Sequence, residues 1–455
     1  MKNLRVNKND VTKNSVDVFF YLIPIVICSV GLILTSIIYY PGWMSADSMV
    51  QYSQALEGSY GDWHPVLMAW WWNKLLVLAA GPAPLLFQNL FLYWSAWALF
   101  ALGLSRQIGW WAVPLPIMGF WPGLLLVLGN IWKDVVFSTS IIFVFSLIFF
   151  FQSHKKRPNW FARCLMLFFI VLAVGTKPNG LIVIPFVLYF WAISEFGPLF
   201  RRLFLYLFAL AGTGISYLLS LLPLIGLKIK IEDSSQYLKV YDLVGISVRS
   251  GKNYLPSYLE KQLTDANVNW REVYDNYSGN PLFWPPNGGG AMTQDPTNLE
   301  KLSSAWGRAI LREPYSYFAH REDHFGIMLG IDQTLGSFVS MKDIVPNQYG
   351  LTYKPNSLAK MLFDLSDLHP AWFFTSWVYL LFTFVSGIAL FIISAPLRVF
   401  AITFGFSAIL FTGLHFFVGP APDFRYFFYS DTVALVLFGI VSLIALSKIW
   451  SLIKN

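Results

Sequence analysis

Residues 19–40 read FFYLIPIVICSVGLILTSIIYY. The stretch carries no charge and exceeds the roughly 20 residues that an α-helix needs to cross a hydrocarbon core. It follows a polar tail holding Lys2, Arg5, Lys8 and Lys13. Its length and the lack of a small-residue cleavage site set it apart from a signal peptide, so it reads as a retained anchor. The rest of the chain repeats the pattern. Of 455 residues, 56% are hydrophobic and only 13% charged, which excludes an ordinary soluble domain.

Further apolar runs lie at 84–105, 111–129, 133–152, 162–175, 181–196, 203–226, 371–394, 399–418 and 432–450. With the first, they predict an all-α polytopic membrane protein of about ten transmembrane helices. Residues 64–82 are apolar too, but they hold Asn73 and Lys74 and end at Gly81-Pro82. They are expected to form an interfacial helix lying on the membrane. The expected organisation is a cytoplasmic tail (1–18), an N-terminal transmembrane module (19–226) with a first external loop (41–83), a periplasmic domain (227–370) and a C-terminal transmembrane module (371–455).

Charge orients these spans. With the N-terminus inside, the cytoplasmic segments hold Lys2, Arg5, Lys8, Lys13, Arg106, Lys155, Lys156, Arg157, Arg163, Arg201, Arg202, Arg398, Lys448 and Lys454, against Asp10, Asp17 and Glu195 alone. Every connection predicted inside is basic, as the positive-inside rule requires. That distribution accounts for the net charge of +7, and no basic-aromatic motif points to a nucleic-acid partner. Cys28 and Cys164 fall in or near apolar spans, so no disulfide framework is implied. The long segment 227–370 carries Trp270, Trp284 and Trp306 and reads as a packed, mostly helical domain. Within it, Pro281–Gly290 is expected to be a loop. Asp295-Pro296 should open a helix to about Arg312, and Pro314 should open another.

Five external loops carry polar residues out of proportion to their length. The first holds Asp47, Glu57, Asp62, Trp63 and His64, the second Asn130, Lys133 and Asp134, the third Thr176-Lys177-Pro178. The fourth is the large domain, where His320 and His324 share a helical face with Arg321 beside it. The last holds Asp423-Phe424-Arg425-Tyr426. Ionisable groups at membrane depth are costly and usually mark substrate or ion sites. If the loops converge, they offer carboxylates at one end and Lys, Arg and His at the other. A carboxylate can take a proton from an attacking hydroxyl, and cations can hold the charge growing on a phosphate leaving group. No nucleotide-binding motif appears, so an activated lipid donor suits the location.

Each residue also has a plainer reading. Asp47 could cap a helix beginning near Ser48, and Asp62 could be a cap or turn residue. His64 could bond a loop carbonyl, and Lys133-Asp134 could be a local ion pair. Lys177 could snorkel to the interface, and Asp423 and Arg425 could be a structural pair. The many Trp residues fit interfacial belts, although Trp63 could stack on a sugar ring.

Several of these features occur in order in one family. An Asp follows the first span (Asp47), and a His-Pro opens the next helix (His64-Pro65). A Lys-Asp sits in the second external loop (Lys133-Asp134), a Thr-Lys-Pro lies between spans (Thr176-Lys177-Pro178), and Asp423-Phe-Arg-Tyr426 lies in the last loop. The chain thereby resembles the GT-C class of integral-membrane glycosyltransferases. Its size and single large loop look most like the bacterial serotype-converting (Gtr-type) O-antigen glucosyltransferases. It departs where many members carry paired acids, since Asp47 is followed by Ser48, and where His-Pro-Pro-Leu is replaced by His64-Pro65-Val66-Leu67.

The resemblance implies an inverting transferase of the bacterial inner membrane, with its active site facing the periplasm. The donor would be a polyprenyl-phosphate hexose, with glucose expected, and the acceptor a sugar hydroxyl of O-antigen, lipopolysaccharide or another surface glycan. Asp47 would be the general base. Asp134 and His64 would lie near the donor phosphate or a divalent cation, and Lys177 or an Arg would contact phosphate. A flippase and a donor synthase would be its partners. The alternative from another class is a lipid flippase or transporter. Such a protein needs polar residues along a path across the bilayer, whereas nearly all the acids here fall on one side.

Overall fold

A computed structural model describes residues 8–197, 201–285, 290–332, 338–367 and 371–454. The first apolar stretch forms α1 (Lys8–Tyr39), which continues through Pro24. Helix thus begins well inside the expected tail, of which residues 1–7, with Lys2 and Arg5, lie outside the described residues. Two short helices follow in the segment 41–83, α2 (Ala46–Glu57) and α3 (Val66–Leu75), joined through β1 (Tyr60–Gly61). Then come α4 (Ala83–Ile108), α5 (Pro122–Leu128), α6 (Lys133–Ser153), α7 (Trp160–Thr176), α8 (Ile184–Phe196) and α9 (Arg202–Leu221).

Among the described residues, seven helices are long and apolar enough to cross a membrane: Tyr21–Tyr39, Ala83–Ala112, Lys133–Ser153, Arg202–Leu224, Ser376–Ile393, Ala395–Val418 and Phe424–Lys454. The runs at 162–175 and 181–196 form the shorter apolar helices α7 and α8. The run at 111–129 corrects the expectation, because it is no single helix. It breaks into 3-10 turns at Gly109–Ala112 and Leu115–Phe120, and then α5. Pro114, Pro116 and Pro122 remove the backbone donors that a continuous helix needs. The broken segment still passes along the bundle, from Trp111 against Trp450 at one end to Asn130 beside Trp43 at the other. Broken backbone at such depth is tolerated when it is buried in protein, and Leu115, Leu124 and Leu128 are fully buried.

The segment 227–370 serves two cores. It opens with β2 (Ile229–Lys230), which pairs in parallel with β1. Helices α10 (Ser235–Ser250), α11 (Ser257–Asp265), α12 (Trp270–Val273), α13 (Asn280–Phe283), α14 (Pro296–Arg312) and α15 (Pro314–Leu329) then pack around Val240, Val244, Leu259, Trp270 and Leu302. Asp295 caps α14 through the Thr297 N–H, and Pro296 and Pro314 each occupy a first turn, as the sequence predicts. The expected loop 281–290 is helical over Pro281–Phe283 within α13, and its residues 286–289 lie outside the described ones. From Phe338 onward the chain leaves this core. Ile344, Tyr353 and, on α16 (Ser357–Asp367), Ala359 and Leu362 join the core of the apolar bundle instead.

Helices α17 (Ser376–Ile393), α18 (Arg398–Val418) and α19 (Phe428–Lys454) complete the bundle. Basic residues gather at the end away from Asp47. There Arg106 donates to the Tyr21 hydroxyl, Arg163 pairs with Glu195 at 2.8 Å, and Arg398 and Lys448 donate to the carbonyls of Phe391 and Ile393.

Candidate functional site: a charged cluster at the other end of the bundle

Four loops are stitched together by backbone. Trp43 N–H donates to the Gly129 carbonyl and Ile131 N–H to that of Trp43, each at 2.9 Å. Met44 N–H donates to the Asp343 carbonyl and Val345 N–H to that of Met44, each at 3.0 Å. Phe338 N–H reaches the Pro422 carbonyl at 3.2 Å and Phe424 N–H that of Phe338 at 3.0 Å. Residues 338–345 thus form a strap from the loop after α1 to the loop before α19. Asn130 pins its middle, donating to Ser340 Oγ and accepting from Met341 N–H, each at 3.1 Å.

Asp47 sits in the first turn of α2 but does not cap it. Ser45 is the cap, in a reciprocal box with Ser48. The Ser48 hydroxyl donates to the Ile131 carbonyl at 2.8 Å and Trp132 Nε1 donates to Ser45 Oγ at 2.9 Å, which fixes this end of α2 beside Lys133 and Asp134. The Asp47 carboxylate is therefore free of the helix end and turns to other partners. Arg425 Nη2 lies 2.9 Å from Asp47 Oδ2 and 2.8 Å from Asp423 Oδ2. The Arg425 guanidinium stacks on Trp132, its centre 4.6 Å from the ring, and its Nε lies 4.0 Å from Asp134 Oδ2. His64 Nε2 is 3.9 Å from Asp47 Oδ1, while its buried Nδ1 has no hydrogen-bond partner among the described residues, so no loop carbonyl holds it.

Asp134 pairs with Lys177, not with its neighbour Lys133. Both partners are buried, with 1% and 4% of their side chains exposed, so Lys177 is no snorkelling anchor. Two close approaches bring the lysine there. At Gly175 a Cβ would lie 2.1 Å from a Leu67 methyl, and at Gly180 one would lie 2.2 Å from the Phe137 ring. Lys133 has no carboxylate within salt-bridge range among the described residues, yet its charge is felt at both Asp47 and His64. Asp47 is the most accessible acid of the cluster, its side chain 39% exposed against 14% for Asp423.

Electrostatics separates the groups. Burial would raise the Asp47 carboxyl, but the cations facing it, Arg425 foremost, outweigh that and hold it at about 2. Burial pushes the His64 imidazole down to about 4, and Lys133 adds to the effect. Burial raises Asp423 despite its pairing with Arg425.

Asp47, His64, Lys133, Asp134, Lys177, Asp423 and Arg425 therefore come together, and the other expected site residues do not join their contacts. Asp62 is a turn residue whose carboxylate accepts from the Glu232 and Asp233 N–H groups after β2. Trp63 packs against Phe283, at the end of α13, and Trp284 beyond it. Arg321, His320 and His324 of α15 are wholly buried. Arg321 lies 2.7 Å from Asp242 Oδ1 and donates to the Gly419 carbonyl at 2.8 Å. His320 lies 3.3 Å from Asp242, and His324 meets the Asn276 carbonyl. Their helical spacing gave a shared face, but that face turns to the core. Trp132, directly before Lys133-Asp134, is a cation platform that no motif in the sequence marks. The strap 338–345 (Phe-Val-Ser-Met-Lys-Asp-Ile-Val) mixes apolar and polar residues without a regular period, so it has no local signal.

The donor set does not suit a divalent cation. Asp47, Asp134 and Asp423 already face fixed Arg and Lys cations, and among the described residues no group of three or more His, Cys, Asp or Glu side chains could hold a metal ion. What the cluster offers is one accessible carboxylate backed by three cations. A comparison with protein-family models found no match, nor did comparisons with curated proteins and with solved structures.

Proposed function

We propose that the protein is an inverting, polyprenyl-phosphate-dependent glycosyltransferase of the GT-C type, spanning the bacterial inner membrane about ten times with the charged cluster facing the periplasm. The observation that carries this reading is the convergence of Asp47, Arg425, Lys133, Lys177 and His64 from four separate loops at one end of an apolar bundle. The opposite end collects the basic residues expected on the cytoplasmic side.

In the reaction, a sugar hydroxyl of the acceptor, an O-antigen, lipopolysaccharide or other surface glycan, gives its proton to Asp47. Its oxygen forms a bond to the anomeric carbon of the donor hexose, expected to be glucose. The bond from that carbon to the phosphate oxygen breaks, and its electron pair leaves with the polyprenyl phosphate. A single displacement inverts the anomeric centre. The phosphate passes from a monoanionic diester to a dianionic monoester, and Lys133 and Arg425 are placed to hold that growing charge. His64, neutral at pH 7 with its imidazole down at about 4, serves as a hydrogen-bonding neighbour and not as a further cation. No step runs through a metal ion. A donor synthase and a flippase would supply the lipid-linked sugar on the periplasmic side.

The test is mutational. Asp47→Asn keeps the size and the helix-opening geometry but removes the base. Transfer should fall by about 10² to 10⁴-fold, with expression and helical content unchanged. An Asp47→Asn protein as active as the native one sinks the mechanism.

A further inference from the structure

The cluster holds its base in a state that looks unfit for a base. A carboxylate ion-paired at 2.9 Å to a buried guanidinium is stabilised as the anion and gives up little by staying unprotonated. Asp47 must lose that cation as it gains a proton, or proton transfer is uphill. The same guanidinium has capacity to spare. Arg425 spends Nη2 on two carboxylates, Asp47 and Asp423, while its buried Nε has no hydrogen-bond partner among the described residues. Its guanidinium carbon lies over the Trp132 ring, 4.6 Å from the centre, and a π face can keep attracting a cation that shifts across it. Trp132 is itself tied by Nε1 to Ser45, the residue that caps the helix carrying Asp47, so platform and base share one frame.

Resting on the transferase reading above, we propose that Arg425 passes from Asp47 to the departing phosphate in step with the acceptor's proton, and that Asp423 is the positioning residue that keeps the guanidinium within reach of both. The charge balance closes. When the acceptor O–H gives its proton to Asp47, that carboxylate goes from −1 to neutral. As the anomeric C–O bond breaks, the phosphate goes from −1 to −2. The negative charge that Arg425 faced at Asp47 reappears on the leaving group, and the arginine follows it. Cation binding is then strongest where the transition state needs it, and the base is released only as it is used. Asp423 holds the guanidinium as a tether about which it turns, so the arginine leaves Asp47 without leaving the site.

Undecaprenyl phosphate, the leaving group itself, is the probe, with the full-length protein in lipid nanodiscs. Asp47→Asn mimics the proton-bearing base. It should bind undecaprenyl phosphate about tenfold more tightly than the native protein, because Arg425 no longer has Asp47 to face. That gain should vanish in the Asp47→Asn/Arg425→Gln double variant. If the glutamine variant does not fold, Arg425→Lys serves instead. It keeps the charge without the planar fork, and the gain should shrink there at least threefold, to about a third or less. Asp423→Asn should lower kcat about tenfold with the donor KM within twofold, a split that a general loss of folded protein would not produce.

A gain that survives loss of Arg425 is only the removal of a repelling charge and overturns the proposal, as does no gain at all. An Asp423→Asn effect confined to KM overturns the positioning role. Native protein that binds no undecaprenyl phosphate defeats the donor reading itself, whereas binding without coupling to Arg425 defeats only the exchange.

Discussion

Asp47, Arg425 and the Asp134–Lys177 pair carry the proposed chemistry, and each can be tested alone. Lys177 and Asp134 are buried together, so Lys177→Met leaves the carboxylate without its direct partner, facing only the more distant charges of Arg425, its Nε at 4.0 Å, and Lys133. Breaking such a pair costs about 3–5 kcal/mol, while replacing both partners by apolar residues costs far less. Thermal unfolding of Lys177→Met should show that loss, and Lys177→Met/Asp134→Leu should recover much of it. Equal loss in both would mean that the pair contributes packing and not charge.

The imidazoles make a second prediction at this scale. Burial holds His64 at about 4 and His324 at about 3, both below the ordinary value of 6.5. Between 6.5 and these values the unfolded chain binds protons that the folded one refuses, so stability is intact above pH 6.5 and falls as the pH drops toward 4. Asp47, held at about 2, adds a further loss below pH 4, where the unfolded carboxyl protonates first. The unfolding temperature should therefore decline from pH 7 to 4, and His64→Gln should decline less. A flat profile over that range contradicts the buried, neutral imidazoles. In the sequence Asp47 was legible as an unusual charge, but its structural rival, helix capping, could be settled only by seeing Ser45 and Ser48 close the cap between themselves.

Among the elements, those with strong periodic signals were legible and those fixed by distant partners were not. The apolar runs gave most spans within a few residues, and Asp295-Pro296 and Pro314 marked α14 and α15, since caps and first-turn prolines act locally. The run 111–129 is as apolar as its neighbours, and only its three prolines argued against a helix. Lys133-Asp134 read as a pair because adjacency is visible in sequence, while the true partner, Lys177, lies 43 positions away. Its placement depends on the close approach of α7 to α3 at Gly175. Gly175→Ala puts a Cβ 2.1 Å from the Leu67 methyl, and Leu67 must shift. Such overpacking costs about 1–3 kcal/mol. It should also move Lys177, so transfer activity should fall more than the stability loss explains. Unchanged activity in a Gly175→Ala protein would show that α3 does not set the lysine.

For the whole molecule, helices α10 to α15 and the apolar bundle are joined by buried charge. Arg321 on α15 pairs with Asp242 on α10 and donates to the Gly419 carbonyl beyond α18, so one guanidinium latches the two bodies. Arg321→Gln should raise hydrogen exchange across α10 and α15 and near Gly419 while sparing α6 and α19. Exchange that rises evenly over the chain would refute a latch. The sequence placed His320, Arg321 and His324 correctly on one helix, but a helical wheel does not say whether a polar face meets solvent, substrate or another buried charge.

The central claim is that Asp47 drives inverting transfer from a lipid-phosphate donor, and the most direct test is labelled-sugar transfer by the purified protein. Polyprenyl-phosphate hexoses of known anomeric configuration would be offered with candidate glycan acceptors, and the new linkage assigned by NMR. The account predicts that label moves to the acceptor with inverted configuration, and that Asp47→Asn moves it about 10² to 10⁴-fold more slowly. A product of retained configuration, or equal transfer by Asp47→Asn, would contradict it.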